Sequence, residues 1–259
     1  MRMLQLTELE ILTEFARICD MHGLRYYLVG GTLLGAVRHG GFIPWDDDID
    51  VAMPREDYDR FAQLAPRELA EEYFYQCPDT DPNYYLSYAK IRKNGTEVYE
   101  ERFKNSRFHK GVFVDIFPLD FCPKCGWLCH LLFNTLAVMN YRGQIDSGEI
   151  YKPYSEWSGK VGYGVLKLLS PPKLIKTRRY LLKLSKSLSR GDYVASYSGA
   201  YGYYKEVFPW EWFECGNEYA FENLSFRIPR EQNEILLQLY GEDCLRMSST
   251  ITKKSHIII

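Results

Sequence analysis

The chain has 259 residues, of which 46% are hydrophobic, and this is enough for one large domain or two small ones. Its 32 lysines and arginines nearly balance its 34 aspartates and glutamates, so no overall positive field predicts binding to nucleic acid. No run of about 18 apolar residues predicts a membrane-spanning helix.

The N-terminal segment predicts a helix rather than a secretion signal, because Glu8, Glu10 and Glu14 interrupt its apolar residues. Gly23 is a suitable stop for this helix. Without a signal, the seven cysteines are expected to be free thiols in a cytoplasmic protein.

The following elements alternate between strands and helices. The pattern predicts, in chain order, a strand over Arg25–Val29, a helix over Thr32–Arg38, a loop over Gly40–Trp45, a strand over Ile49–Met53 and a helix from Pro54 to Leu64. Two further strands, Tyr84–Arg92 and Glu97–Glu101, are predicted to pair through a turn at Asn94–Gly95. Then come a buried strand, Gly111–Phe117, and an apolar helix, Trp127–Tyr141.

The second half is predicted to be mainly helical. Residues 158–190 are basic and leucine-rich and contain no acid, and Pro171–Pro172 divides them into two helices. A last helix is predicted over Glu231–Tyr240, ending at Gly241.

The segment WDDDID concentrates four carboxylates between Asp46 and Asp50. In a strand, Asp48 and Asp50 project from the same face, where two ionised carboxylates repel each other unless a cation lies between them. Mg²⁺ suits such a pair, because it prefers oxygen ligands and commonly binds carboxylates together with substrate phosphates. A solvated acidic loop is the alternative. An EF-hand is excluded, because Val51 occupies the position that requires glycine.

Two neighbouring features favour the metal site. Gly30–Gly31 precede a predicted helix, where backbone N–H groups can approach a phosphate, although a double glycine also forms ordinary turns. Asp115 lies within an apolar strand, where a lone carboxylate costs several kcal/mol unless it is paired or metal-bound. The alternative for Asp115 is a core carboxylate bonded to the backbone or to an arginine.

The segment from Val29 to Val51, VGGTLLGAVRHGGFIPWDDDIDV, resembles the signature of the LicD family, which includes bacterial phosphorylcholine transferases and has fukutin and fukutin-related protein as eukaryotic relatives. The similarity continues at Lys90–Arg92, over Gly111–Asp120, and from Phe221 to Gly241. The tail after Gly241 departs from the family pattern, so no contacts are carried over to it.

The resemblance implies an α+β fold of the nucleotidyltransferase type: a small mixed sheet flanked by helices, with a helical C-terminal extension. It places the catalytic core at residues 1–125. Residues 126–259 are then a mainly helical extension packed on that core, on the acceptor or membrane side.

The resemblance also implies an activity and a site. Family members transfer a phospho-alcohol, such as phosphocholine or ribitol phosphate, from a CDP-linked donor to a sugar hydroxyl of a cell-surface glycan or its lipid-linked precursor. The metal and catalytic residues implied here are Asp48, Asp50 and Asp115, holding Mg²⁺ with Mn²⁺ as an alternative. Asp115 either completes the metal shell or acts as a base.

Substrate contacts are expected from residues on both sides of the acidic run. Gly30, Gly31 and Thr32 would position the donor diphosphate. Arg38, Lys90 and Arg92 would clamp phosphate, with a solvated surface role as the alternative, and His39 would serve as a base or make a loop hydrogen bond. An enzyme that uses nucleoside triphosphates and a non-catalytic membrane scaffold are the alternative functions.

Two other segments carry hypotheses of their own. Residues 160–190 would lie on anionic lipid at the inner face of a membrane, or else pack on the domain with a solvated basic face. Cys122 and Cys125, followed by Cys129 and His130, have zinc-like spacing, although buried free cysteines are ordinary in such an apolar run.

Overall fold

The structure is a computed structural model that describes residues 1–124, 126–148, 164, 166, 168–199, 201–245 and 257–258. Its α-helices are α1 (Arg2–Met21), α2 (Gly30–His39), α3 (Arg55–Glu68), α4 (Gly126–Asp146), α5 (Pro171–Leu188), α6 (Tyr203–Glu206) and α7 (Gln232–Tyr240). Its strands are β1 (Tyr27–Leu28), β2 (Asp50–Pro54), β3 (Tyr73–Gln76), β4 (Ala89–Lys93), β5 (Tyr99–Glu100), β6 (Phe113–Phe121), β7 (Tyr193–Ala195), β8 (Val207–Pro209), β9 (Asn217–Phe221), β10 (Leu224–Ile228) and β11 (Ile257–Ile258).

The main sheet is mixed and has the strand order β1-β2-β6-β4-β3. β2 and β6 are parallel, whereas β1, β4 and β3 join their neighbours antiparallel. The far end of β6 pairs with β7, which pairs with β8. Two small ladders, β9–β10 and β5–β11, complete the described pairings. This architecture confirms the predicted α+β fold.

The long central strand β6 is buried along most of its length because it is mainly apolar and helices cover it. α1 buries one face, which includes Leu12 and Phe15, against the same core as Val114 and Ile116 of β6. Leu236 of α7 belongs to this core too. The core therefore includes residues from both halves of the chain, and a boundary at residue 125 remains a prediction.

Local signals set the helix ends well. α1 is followed by Gly23, which has φ of +62°, and α2 ends at Gly40, which has φ of +66°. Glycine adopts this left-handed conformation without the steric penalty that a Cβ brings. The helices predicted at both places are confirmed.

The predicted hairpin between Tyr84–Arg92 and Glu97–Glu101 is wrong. Gly95 does form a turn, with φ of +72°. However, β4 pairs with β3 and β6, and β5 pairs with β11. A favourable turn brings two segments close, but it does not decide which strand pairs with the free edge of the sheet. Here β3, which the sequence pattern did not predict, pairs with the free edge of β4.

The C-terminal extension contains α4, α5 and α7, and it also contains strands β7 to β10, which the pattern did not predict. These strands have at most five residues each, too short for a clear alternation. No helix in the described part of the chain combines the length and the apolar character that a membrane crossing requires.

Candidate active site

Three charged residues stand side by side on three adjacent strands. Asp50 at the start of β2 is the register partner of Asp115 on β6, and Asp115 is the register partner of Lys90 on β4. Neighbouring strands are about 5 Å apart, so the three side chains leave the sheet close together. Lys90 Nζ lies 2.5 Å from Asp115 Oδ1, and Lys90 is fully buried.

The acidic loop precedes β2 and brings three more carboxylates to this end of the sheet. One oxygen from each of Asp46, Asp47 and Asp48 lies within 4.8 Å of the others. Gln5 of α1 holds the loop in place, because its amide donates to the carbonyl oxygens of Ile43 and Asp46 at 3.3 and 3.0 Å. These two hydrogen bonds therefore hold the acidic loop against α1.

The two glycines at the start of α2 leave room for these carboxylates. A Cβ added to Gly30 would lie 2.8 Å from Asp50 Oδ2, and a Cβ added to Gly31 would lie 2.8 Å from Asp46 Oδ2. Gly30 also has φ of +58°, which disfavours any other residue. The positive end of the α2 dipole consequently faces the acidic cluster and stabilises its negative charge.

A cavity of about 500 Å³ opens over this cluster. Its described lining contains seven carboxylic acids and no lysine or arginine. The acids are Asp46, Asp47, Asp48, Asp50, Glu100, Asp115 and Glu206. An anionic diphosphate would be repelled by such a surface unless cations entered with it.

The raised pKa values of two carboxyl groups show that negative charges are crowded together at this site. Burial, followed by the charges of Asp48 and Asp115, raises the pKa of Asp50 well above its usual range. Glu8 of α1 lies near the loop, and both its carboxylate oxygens are buried without a hydrogen-bond partner among the described residues. Burial, followed by Asp48 and Asp47, raises the pKa of Glu8 in the same direction.

The donor set fits a hard divalent cation. The cluster consists of carboxylate oxygens, which Mg²⁺ and Mn²⁺ prefer, and its crowded negative charges repel one another, which a cation would relieve. In the described part of the chain, Asp46, Asp47 and Asp48 form the only group of three or more residues close enough to share an ion.

The structure brings only some of the expected site residues to the cavity. Asp48, Asp50, Asp115, Gly30 and Gly31 line it. Thr32 and Lys90 lie just behind the surface. Thr32 Oγ1 accepts a hydrogen bond from Asp50 N at 2.8 Å, and Lys90 holds Asp115. Their contacts position the acids rather than the substrate.

Three predicted substrate contacts do not reach the cavity. Arg38 and His39 lie in the last turn of α2, about 12 Å along the helix axis from Gly30. Arg92 is fully buried within the fold, where its guanidinium donates to Gln76 Oε1 and to the Gly111 carbonyl oxygen at 2.7 Å each. The geometry does not support the phosphate-clamp prediction for Arg38 and Arg92, or the base prediction for His39.

Sequence reasoning missed the C-terminal wall of the cavity. Its polar members are Ser196, Ser198, Tyr201, Glu206 and Tyr240. The Tyr201 and Tyr240 rings meet edge to face, with centroids 5.6 Å apart, and Glu206 accepts a hydrogen bond from Tyr201 N at 3.1 Å. Burial raises the pKa of Glu206 to about 7. The richness in tyrosine was the one available signal, and it did not distinguish this wall from ordinary core.

The zinc hypothesis gains no support from the described residues. Cys122 and Cys129 are buried in a small second core, where the two thiols hydrogen-bond to each other. His130 is exposed and contacts the Tyr203 ring instead. Cys125 lies outside the described residues.

The chain is similar in sequence to known proteins. Residues 23–130 match the family model described as the nucleotidyltransferase domain of LicD/FKTN/FKRP. The chain is 30% identical to the lipopolysaccharide cholinephosphotransferase LicD of Haemophilus influenzae, over 98% of this chain and 94% of that protein. It is 45% identical to the ribitol 5-phosphate transferase FKRP of human and mouse over 64 residues, 23% of this chain and 13% of FKRP. The chain belongs to the LicD family.

Proposed function

We propose that this protein is a phosphotransferase that moves a phospho-alcohol from a CDP-linked donor to a sugar hydroxyl. The transferred group would be phosphocholine or a phospho-alditol such as ribitol phosphate. The acceptor would be a cell-surface glycan, such as lipopolysaccharide or teichoic acid, or its lipid-linked precursor. The observation that carries the proposal is the acid-lined cavity over Asp50 and Asp115, in a chain whose relatives are named as transferases of such groups.

Mg²⁺, or Mn²⁺ in its place, would be held at the acidic cluster. Asp46, Asp47 and Asp48 already lie close enough to share an ion, and Asp50 and Asp115 stand side by side on the neighbouring strands. When bound, such an ion neutralises the charge of the donor diphosphate and of the departing CMP. The ion pair with Lys90, 2.5 Å from Asp115 Oδ1, fixes this carboxylate beside Asp50 at the acidic cavity, where it would serve as a metal ligand or as a base.

The protein's own residues would complete the site around the donor. The N-terminus of α2 at Gly30 and Gly31 directs backbone N–H groups toward the diphosphate. On the C-terminal wall of the cavity, Tyr201 and Tyr240 offer ring faces and hydroxyls to a sugar. We place the acceptor on this wall because aromatic rings suit the apolar faces of a sugar.

A donor screen tests the proposal. The purified protein would be incubated with Mg²⁺ and with CDP-choline, CDP-ribitol or CTP, in the presence of a glycan acceptor. Release of CMP from a CDP-alcohol supports the proposal, whereas release of pyrophosphate from CTP supports a nucleotidyltransferase. Asp48→Asn should lower turnover on the order of 100-fold or more with the fold intact. The exposed Asp192, changed to Asn, is the matched control.

We further propose that α5 contacts an anionic membrane at its inner face. Three apolar side chains on one face of the helix remain exposed, namely Tyr180, Leu184 and Leu188, each four residues from the next. Basic residues flank this stripe: Lys173, Lys176, Arg179, Lys183, Lys186 and Arg190. An apolar stripe bordered by cations is typical of a helix that lies on anionic lipid. Most of residues 160–170 lie outside the described part of the chain.

Vesicle flotation tests this contact. The protein should float with vesicles that contain phosphatidylglycerol and should not float with pure phosphatidylcholine vesicles. Tyr180→Ser together with Leu184→Ser should abolish flotation, and Leu224→Ser, at an exposed leucine on β10, should not. Equal flotation of the double variant and the wild type would refute the contact.

A further inference from the structure

A second cavity, of about 620 Å³, lies between α3 and α5. It shares no lining residue with the acidic cavity. We call it the basic cavity, because its described lining includes the six cationic residues Arg25, Arg55, Arg178, Arg179, Lys183 and Lys186. Only four carboxylates line it, namely Glu56, Asp59, Asp79 and Asp120, so the cavity is positive within a chain of net charge -2.

The carboxylates are already engaged by specific cations. Asp120 receives two hydrogen bonds from the Arg55 guanidinium, at 2.7 and 2.8 Å, and Asp59 lies 3.3 Å from the same group. Asp79 pairs with Arg179 at 2.6 Å and Glu56 with Lys186 at 2.7 Å, and the members of both pairs are exposed. Arg25 pairs with Asp57, outside the lining, at 2.6 Å. The excess positive charge therefore falls on Arg178 and Lys183.

Arg178 is the central member of that remainder. Its Nε is buried without a hydrogen-bond partner among the described residues, and its Nη2 makes a long contact of 3.5 Å with Ser198 Oγ. No carboxylate of the described residues lies within ion-pair distance of it. Burial, followed by the charge of Arg55, lowers the pKa of Arg178 to about 10. Lys183, further along α5, likewise has no ion pair among the described residues.

Much of the remaining lining is apolar or aromatic. Tyr58, Leu86, Met139, Leu174 and Leu182 all face the cavity. Its volume matches the range of small-molecule sites, roughly 300 to 1,000 Å³, and exceeds what a single inorganic anion needs. The occupant that fits is therefore an organic molecule with an anionic head.

We infer that the basic cavity is a binding site for a phosphorylated organic molecule, with its phosphate on Arg178 and Lys183 and its apolar body along α4 and α5. A guanidinium fork binds phosphate through two parallel hydrogen bonds, and an ammonium group adds a second charge for a dianion. The site is separate from the one used in the proposed transfer reaction, so binding there does not depend on that proposal.

The test measures phosphate binding without any metal. In EDTA the acidic cavity repels anions, so sodium phosphate should raise the melting temperature of the protein through the basic cavity alone. The comparison is sodium chloride at matched ionic strength. Arg178→Gln should weaken phosphate binding by about tenfold or more, and Arg178→Lys should retain part of it. Arg230→Gln, at an exposed arginine that pairs with Glu231 outside the cavity, should bind as the wild type does.

A second readout needs no variant at Arg178. Butanedione modifies accessible arginines, and peptide mass spectrometry locates the product. Phosphate should protect Arg178 and leave the exposed Arg230 unprotected. Absence of both the melting-temperature shift and the protection would overturn the inference. An equal shift in Arg178→Gln, or protection of Arg230 to the same extent, would do so as well.

Two further experiments distinguish a soluble phosphorylated ligand from a lipid headgroup. Glycerol 3-phosphate represents a soluble ligand, and vesicles with phosphatidic acid represent a lipid headgroup. A lipid source predicts that Arg178→Gln loses binding to phosphatidic acid vesicles while Arg230→Gln keeps it. A soluble source predicts that glycerol 3-phosphate protects Arg178 from butanedione and that vesicles do not. If neither vesicles nor glycerol 3-phosphate bound at Arg178, an organic phosphate as the occupant would be contradicted.

Discussion

Lys90 and Asp115 face each other across β4 and β6, buried, with Nζ and Oδ1 2.5 Å apart. The ammonium group also lies 3.4 Å from the centre of the Phe113 ring. Lys90 therefore offsets the negative charge of Asp115, one carboxylate of the acidic cavity. Asp50, the other register neighbour of Asp115, is stabilised only weakly by the charge of Lys90.

We expect Lys90→Met to destabilise the protein by about 3 to 5 kcal/mol, because it leaves the buried Asp115 carboxylate without its partner. Methionine keeps the apolar contact with Phe113. Urea unfolding in EDTA measures the loss. The double variant Lys90→Met with Asp115→Asn should recover much of it, and a single variant as stable as the wild type would contradict the structural role of the pair.

Mg²⁺ should stabilise the protein, and more so at pH 8 than at pH 5. The pKa of Asp50 is raised in the fold, so without metal its contribution to stability is greatest below the unfolded pKa and declines as the pH rises above it. A bound cation removes this penalty, and at a concentration 100 times its Kd it adds about 2.7 kcal/mol. Thermal unfolding with EDTA or Mg²⁺ at both pH values measures the effect, which Asp50→Asn should reduce. An equal gain at both pH values would count against it.

Glu206 should make stability decline between about pH 4.5 and pH 7. Its pKa is raised from 4.5 to about 7, so the folded state holds a proton that the unfolded state has already released in this window. Glu206→Gln keeps an oxygen that can accept the Tyr201 N–H bond and carries no charge. The variant should flatten this part of the stability profile, gaining up to about 3 kcal/mol above pH 7. Unfolding by urea at pH 5 and pH 8 compares the two proteins, and a parallel decline in both would exclude Glu206 as the cause.

Arg92 should be required for stability and not for catalysis. Its guanidinium donates to Gln76 and Gly111, and its removal leaves these buried acceptors unpaired. We expect Arg92→Met to cost about 2 kcal/mol or more. The remaining folded enzyme should keep the wild-type KM for the CDP-linked donor. A raised KM with unchanged stability would restore Arg92 as a phosphate clamp.

The sequence by itself determined the ends of several helices and indicated the acidic residues of the site. Glycines at the ends of α1 and α2 stop these helices because they accept left-handed backbone. The acidic run and the acid within β6 indicated a cluster of carboxylates at the sheet. The predicted strand alternation of Asp48 and Asp50 was wrong, because Asp48 lies in the loop before β2. Short-range steric and charge effects act between neighbours in the chain, so they are visible in the order of residues.

Only the tertiary structure decided which segments meet. The partners of β4 depend on the vacant sheet edges, not on the turn at Gly95. A long basic side chain such as Arg92 reaches either the core or a cavity according to the neighbours that satisfy its donors. Tyr240 joins the acidic cavity and Arg178 faces the basic cavity through packing between distant segments. Such packing minimises buried unpaired charge and exposed apolar surface over the whole chain. A short stretch of sequence does not include the distant residues that take part, so these contacts could not be predicted from it.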